Sequence, residues 1–239
     1  VWQNNSDLTN VFEYKEQINA LYAQFGSKIK KFSYMFGLRY ENSNIDINFL
    51  KNSDFNTKKY DNFFPSVFLT YEFSQSNSVS LSYSKRINRP RGRFLNPFSG
   101  LSSNINVFEG NPDLNPSYTN SFDLGYLKRW DKLTLSTSAY FNKTDDSFQF
   151  IKKATGNSIE GTPVYVSTPV NLATEYRFGF EFTLNYNPYK WWKLNGNFNF
   201  FRNELDGSYT YTDANNVEVL QDLSNTAYSW FTRVSSKVT

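Results

Sequence analysis

Apolar and polar residues alternate with a period of two in nine stretches of this chain, the pattern of β-strands whose two faces meet different surroundings. The clearest stretches are Phe32–Asn42 and Ala173–Asn187. In the first, Tyr34, Phe36, Leu38 and Tyr40 point one way and Met35, Gly37, Arg39 and Glu41 the other. In the second, Phe178, Phe180, Phe182 and Leu184 oppose Glu175, Arg177, Gly179 and Glu181. Further strands are expected at Glu16–Gly26, Phe63–Phe73, from Ser78 onward, through Phe122–Tyr126, and at Leu133–Asp145, Trp191–Glu204 and Ser224–Val238. The first and the last of the nine carry the weakest alternation. The longest runs exceed the five or six residues usual for strands of soluble sheets.

The connections alternate too. Ser27–Lys31, Ser74–Asn77, Trp130–Lys132 and Asn187–Lys190 read as short turns, whereas the polar stretches Ser43–Asn62, Lys85–Pro116, Asp146–Leu172 and Leu205–Leu223 read as long loops. That asymmetry belongs to antiparallel transmembrane β-barrels, which have short periplasmic turns and long extracellular loops. The expected fold is therefore all-β, with about nine strands of a multi-pass barrel in the outer membrane of a Gram-negative cell. Odd-numbered strands then run inward, Val1–Lys15 is the tail of an extracellular loop, and Thr239 lies near the periplasmic rim. Nine strands that start outside and end inside cannot close alone, so residues 1–239 are expected to form one segment of a larger barrel.

Composition refines this picture. Phe, Tyr and Trp make up 19% of the 239 residues, more than a small polar-looking chain needs for a core. Mean hydropathy is −0.60, and no stretch approaches the roughly 18 apolar residues of a membrane helix. Neither fact bears against a barrel, because alternation cancels in any window average. Cys and His are absent, which removes the usual zinc, haem and iron–sulfur ligands and any His-based acid–base chemistry. A net charge of +3 with no basic run gives no reason to expect nucleic acid. No phosphate-cradling Gly motif or nucleophile elbow occurs. Asp145, Asp146 and the Asp and Asn residues of Asp206–Asn216 lack EF-hand spacing. No catalytic, cofactor or metal site is expected, and no enzyme.

The candidate lipid-facing residues are Tyr34, Phe36, Leu38, Leu69, Tyr71, Phe178, Phe180, Phe182 and Leu184. A soluble sandwich would favour Val, Ile and Leu over Tyr on its inner face, and shorter strands. Trp130, Tyr189, Trp191 and Trp192 sit at turn ends, as an interfacial girdle requires. The candidate lumen-facing residues are Arg39, Glu41, Glu72, Arg86, Asp123, Glu175, Arg177 and Glu181, with Lys193 beside them. They line a substrate path or touch a plug, or else they form a hydrated wall of compensating charges. Arg89, Arg91 and Arg93 read as ordinary loop residues, with an anion contact as the alternative. Glu109–Pro116 reads as turn chemistry that shapes the start of the following strand.

Two strings, YSKRINRPRGRFLNPF at Tyr83–Phe98 and EGNPDLNPSYTNSFDLGY at Glu109–Tyr126, resemble the signature of TonB-dependent-receptor-type outer-membrane β-barrel proteins, the branch abundant in Bacteroidota. Arg91-Gly92-Arg93 departs from the resemblance, standing where an aromatic or polar pair is expected. The likeness covers the barrel region only and implies a plug domain and further strands outside these residues. It also implies a receptor or transporter that captures a scarce solute, such as a siderophore, glycan or peptide, through a plugged barrel. The implied partners are outer-membrane lipid, the plug and an energy-coupling inner-membrane complex; a surface lipoprotein partner belongs to the platform alternative. A structural or interaction platform without active transport is the alternative, and a barrel enzyme is a distant third.

Overall fold

The computed structural model describes residues 11–50, 54–98, 103, 105–212 and 217–238. Nine strands form a single antiparallel meander: β1 (Phe12–Ile29), β2 (Phe32–Phe49), β3 (Asp54–Ser74), β4 (Asn77–Asn88), β6 (Ser117–Arg129), β7 (Leu133–Ile159), β8 (Thr162–Tyr189), β9 (Trp192–Asp206) and β12 (Asn225–Val238). The short strand β5 (Asn106–Phe108) runs parallel to Tyr165–Ser167 of β8, and α1 (Gly92–Leu95) is a single helical turn. A separate hairpin joins β10 (Ser208–Thr212) to β11 (Glu218–Asp222).

The nine expected strands and their order are present, but the strands are much longer than the alternation alone marked out. Ser43–Asn62, expected as a loop, is largely β2 and β3 continuing outward in register from Ser43↔Tyr60 to Phe49↔Asp54. Asp146–Leu172 is likewise the outer part of the β7–β8 hairpin, and Leu205–Leu223 holds β10 and β11. The first strand begins at Phe12, so the expected loop tail Val1–Lys15 is strand from that residue on, and residues 1–10 lie outside the described residues. Of the long connections, the one between β4 and β6 is mainly irregular. Tight turns fit their residues: at the β7–β8 tip Glu160 and Gly161 both adopt positive φ, as a two-residue hairpin turn of matching twist needs.

Register makes the two faces explicit. One row runs Tyr34–Leu69–Leu81–Leu124–Ala139–Phe180–Phe200–Trp230 across β2 to β12. Directly paired residues share a face, so this row belongs to a continuous aromatic face. A row on the other side, three residues along, reads Ser66–Ser84–Ser121–Asn142–Arg177–Asn203. The inside-out character of the wall shows in burial: Phe178, Phe180 and Phe182 are 45%, 39% and 44% exposed. The apolar core proper is small and sits elsewhere, around Ile45, Ile47, Phe49, Leu95 and Leu114.

Packing on the polar face includes one close approach that only glycine permits. Tyr140 lies across Gly179, its cross-strand partner, and its hydroxyl donates to Asn199 Oδ1 at 3.1 Å. A Cβ on Gly179 would fall 2.5 Å from the Tyr140 ring and 2.7 Å from the Phe200 carbonyl oxygen. Gly179→Val is expected to expel the ring and destabilise the folded protein by about 1–3 kcal/mol. Urea unfolding in detergent micelles, followed by Trp fluorescence, measures this; an unchanged midpoint would show that the ring is not held there.

Candidate functional site

The eight charged residues expected to share a face do share one. Arg39 pairs with Phe64, Arg86 with Thr119, Asp123 with Ser82 and Tyr140, Arg177 with Asn142, and Glu181 with Ser138. Unbroken alternation puts Glu41 beside Arg39 and Glu175 beside Arg177. The structure nevertheless divides them into separate groups. Glu72 stands at the short-turn end and pairs with Lys28 at 2.7 Å. Glu181 accepts from Asn197 Nδ2 at 2.9 Å. Arg177 reaches Glu175 at 3.1 Å and Asn203 at 3.3 Å, and its guanidinium lies over Phe201.

Two adjoining hollows lie on this face. Arg86, Asp123, Ser84, Ser121 and Tyr140 line one of about 420 Å³. Glu175, Arg177, Ser117, Thr144 and Ser147 line the other, of about 380 Å³. Asn88, Thr119 and Asn142 belong to both. Hydroxyls, amides and opposite charges in this density can bind a polar solute, and they can equally hold water. Most of these ion pairs are half-exposed and individually worth little to stability.

Arg39 and Glu41 belong to a third, drier group. Glu41 is 7% exposed and takes hydrogen bonds from Arg39 Nε at 2.5 Å and Arg89 Nη2 at 2.5 Å. Arg89 also donates to the buried Ser43 Oγ at 2.9 Å and lies 3.3 Å from Glu16 of β1. The sequence reading of Arg89 as an ordinary loop residue is therefore corrected: it is the clamp that draws the end of β4 onto β1 and β2. Two carboxylates and a hydroxyl offset the cost of withdrawing its charge from water.

Beyond Arg89 the chain turns onto the polar face instead of rising away from it. Leu95 of α1 and Leu114 are buried among Ile45, Ile47 and Phe49, flanked by Phe12, Tyr14, Tyr60, Phe94 and Phe98. Lys58 Nζ donates to the Leu114 carbonyl at 3.0 Å and Tyr60 to Asn115 at 3.1 Å. On the far side Asn111 donates to the Pro169 carbonyl and Asn171 exchanges hydrogen bonds with the Asn115 backbone. Glu109–Pro116 carries the turn chemistry expected of it, with the Asp113 amide bonded to Asn111 Oδ1. It also docks the helical turn: the Gly110 and Asn111 amides donate to the Asn96 and Phe94 carbonyls. A Cβ on Gly110 would fall 2.4 Å from the Asn96 oxygen, so the backbones meet only at glycine. Glu16, Ser43, Leu95 and Leu114 were not singled out by sequence reasoning. The signal was available in Ile45-Asp46-Ile47-Asn48-Phe49, which alternates cleanly inside the supposed loop.

The aromatic face carries the residues expected of it. Phe36, Leu38, Tyr71, Phe178, Phe180, Phe182 and Leu184 are exposed, and Tyr34 and Leu69 are half-buried by their neighbours. At the short-turn end Tyr189 stacks on Trp191 at 5.4 Å and Trp191 on Trp192 at 6.2 Å, with Trp130 exposed nearby in the row of turns.

The profile of the outer membrane protein beta-barrel family matches residues 1–239. The chain belongs to that family. Its nine-stranded sheet is thus outer-membrane barrel wall, with the short turns on the periplasmic side. Among solved structures it is similar to the siderophore receptor PiuA from Acinetobacter baumannii, at 15% identity and a TM-score of 0.62, covering 92% of this chain and 31% of that one. It is also similar to the copper transporter OprC, at 12% identity and a TM-score of 0.61, covering 92% and 39%. The FrpB iron transporter from Neisseria meningitidis matches at 11% identity and a TM-score of 0.56, covering 95% and 39%. At such identities the likeness is one of fold, and this chain spans 31–39% of the length of those proteins. The comparison with curated proteins yields no match.

Two outcomes are expected of the clamp and the segment it holds. Arg89→Met leaves Glu41 with one cation and is expected to cost about 3 kcal/mol. Limited proteolysis of the segment between Arg91 and Pro116 should accelerate accordingly, while the strands stay protected. Tyr14 and Tyr60, which lie beyond the membrane-spanning part of the strands, are both pushed up to about 12. Burial is the main cause for each, with the Glu16 carboxylate second for Tyr14 and Tyr118 second for Tyr60. A raised folded-state pKa means stability that is fully present below about 10 and lost as pH climbs through about 12. Tyrosinate absorbance should show these two ionising late, together with alkaline release of the segment; ionisation with the exposed tyrosines would refute the packing.

Proposed function

We propose that this wall belongs to an outer-membrane receptor or transporter of TonB-dependent type, with the polar face lining its lumen and the aromatic face in lipid. The observation that carries this reading is the infolded segment between β4 and β6. A chain that merely anchored a surface structure would have no need of a loop of its own folded onto the polar face beside charged hollows. Here Arg86, Asp123, Glu175 and Arg177 line the hollows at the foot of that segment, where Asn88 ends β4 and Ser117 begins β6, and their polar groups are able to exchange hydrogen bonds with a passing solute. Arg39 and Glu41 brace the root of the segment through Arg89, and Glu72 faces the periplasmic mouth. Similar barrels in a siderophore receptor and in iron and copper transporters support the class of activity. A plug, the missing strands and an energy-coupling inner-membrane complex complete the proposal. The solute is a scarce one of the siderophore, glycan or peptide kind.

One observation favours the platform alternative, in which a surface lipoprotein sits on the barrel. The projecting hairpins expose Ile159 and Leu220 at the outer end, where a partner could cover them. Uptake separates the two readings: cells with the full-length protein should accumulate the solute only while energised, and an uncoupler should abolish the difference from a deletion strain. Equal accumulation in both strains would leave the platform.

Cysteine labelling tests the faces themselves. Arg177→Cys in the lipid-embedded protein should react with a water-soluble maleimide at least about tenfold faster than Phe180→Cys, because hydrocarbon excludes the reagent. Equal rates would invert or abolish the assignment.

A further inference from the structure

We propose that the short-turn end of the wall holds a binding site for the phosphodiester headgroup of an anionic phospholipid, built from Lys128, Trp130 and Lys132 with Tyr189 of the neighbouring turn. The proposal rests on the aromatic face being in lipid. On β6 the exposed column Phe122, Leu124 and Tyr126 is followed, two residues on, by Lys128 in the same column. Register confirms the face: Lys128 pairs with Leu135, and Leu135 with Leu184. A cation therefore stands about 7 Å beyond the last ring of an apolar column, where a lipid's headgroup follows its acyl chains.

The two ammonium groups are positioned without being neutralised. Lys128 Nζ lies 5.8 Å from the Trp130 ring centre and Lys132 Nζ lies 5.9 Å from that of Tyr189. Lys132 also donates to the Pro188 carbonyl at 3.0 Å, and its own carbonyl accepts from the Asn187 amide at 2.7 Å, so the two turns are fastened together. Among the described residues neither lysine forms a salt bridge, whereas Lys28 and Lys143 do. Beside them opens a hollow of about 480 Å³ lined by Gln75, Ser76, Lys128, Arg129, Trp130 and Asp131. In the hollow Lys128 and Arg129 stand against the one carboxylate of Asp131, with a hydroxyl and an amide as further donors, and Lys132 follows next in the turn as a third cation; the balance suits a singly charged phosphodiester. The rings supply the amphipathic flank that interfacial tryptophan and tyrosine provide at headgroup depth. Free phosphate would have no use for the apolar column that leads into the site. A diacyl lipid would fill both.

The test uses the full-length protein in detergent, with retained lipid counted by native mass spectrometry. Phosphatidylglycerol is expected to be retained about tenfold over phosphatidylcholine of the same chains, from two interfacial cations worth a factor of roughly five each at most. Lys128→Gln with Lys132→Gln should reduce that to parity. Should the double variant misfold, Lys128→Gln alone decides, since this side chain holds no hydrogen bond of the turn. Equal retention of the two lipids by the unaltered protein would overturn the site, as would displacement of phosphatidylglycerol by inorganic phosphate. Quenching of Trp fluorescence by lipids brominated on their acyl chains keeps the two claims apart. Quenching without headgroup selectivity removes the site and leaves the lipid-facing assignment; no quenching removes both.

Discussion

In hydrocarbon a backbone amide or carbonyl finds no water, so every one must bond within the protein. This requirement shapes the whole wall. It forces neighbouring strands into uninterrupted antiparallel pairing, and such pairing ties each side chain to one of two faces. Between β2 and β3 eighteen consecutive pairs run without a break, from Phe32↔Tyr71 to Phe49↔Asp54. With the backbone committed, chemistry is left to side chains alone: rings on one face, hydroxyls, amides and charges on the other. The hydrophobic effect then acts on the solvent side of the problem, by keeping the aromatic face out of water, and contributes little to an interior core.

What interior core exists is made where the membrane no longer imposes its rule. Outward of Glu41 the polar face changes character within a few residues, from Arg39 and Glu41 to Ile45, Ile47 and Phe49. These residues gather Leu95 and Leu114 from the infolded segment into a small conventional cluster. Arg89 marks the boundary between the two regimes, reaching from the end of β4 to charges on β1 and β2. The segment is thus held by three different forces: an ion-pair clamp at its root, apolar packing in its middle, and side-chain amides at its end.

The sequence displayed the strands within the membrane because the period of two is strongest where the faces differ most. It concealed their outer halves for the opposite reason. Lys58, Lys59 and Tyr60 on β3, or Lys152 and Lys153 on β7, put polar groups at consecutive positions, so they look like loop residues although they lie in strands. The shared face of the eight charged residues was legible from parity alone. Their partition into a buried clamp, two hollows and a periplasmic pair was not, because Arg89 and Glu41 are 48 residues apart in sequence and meet only through the fold.

The pairing of β7 with β8 is regular up to Thr144↔Glu175 and then shifts register twice before Phe148, next to Asp146 at φ 56°. The shift sets a crease between the outer hairpin and the wall below it. Residues can be gained or lost above the crease without rotating any ring or charge below it onto the wrong face. The outer arm is in this sense free to diversify against whatever it meets at the cell surface, while the inner part of the same two strands stays bound to a fixed spacing.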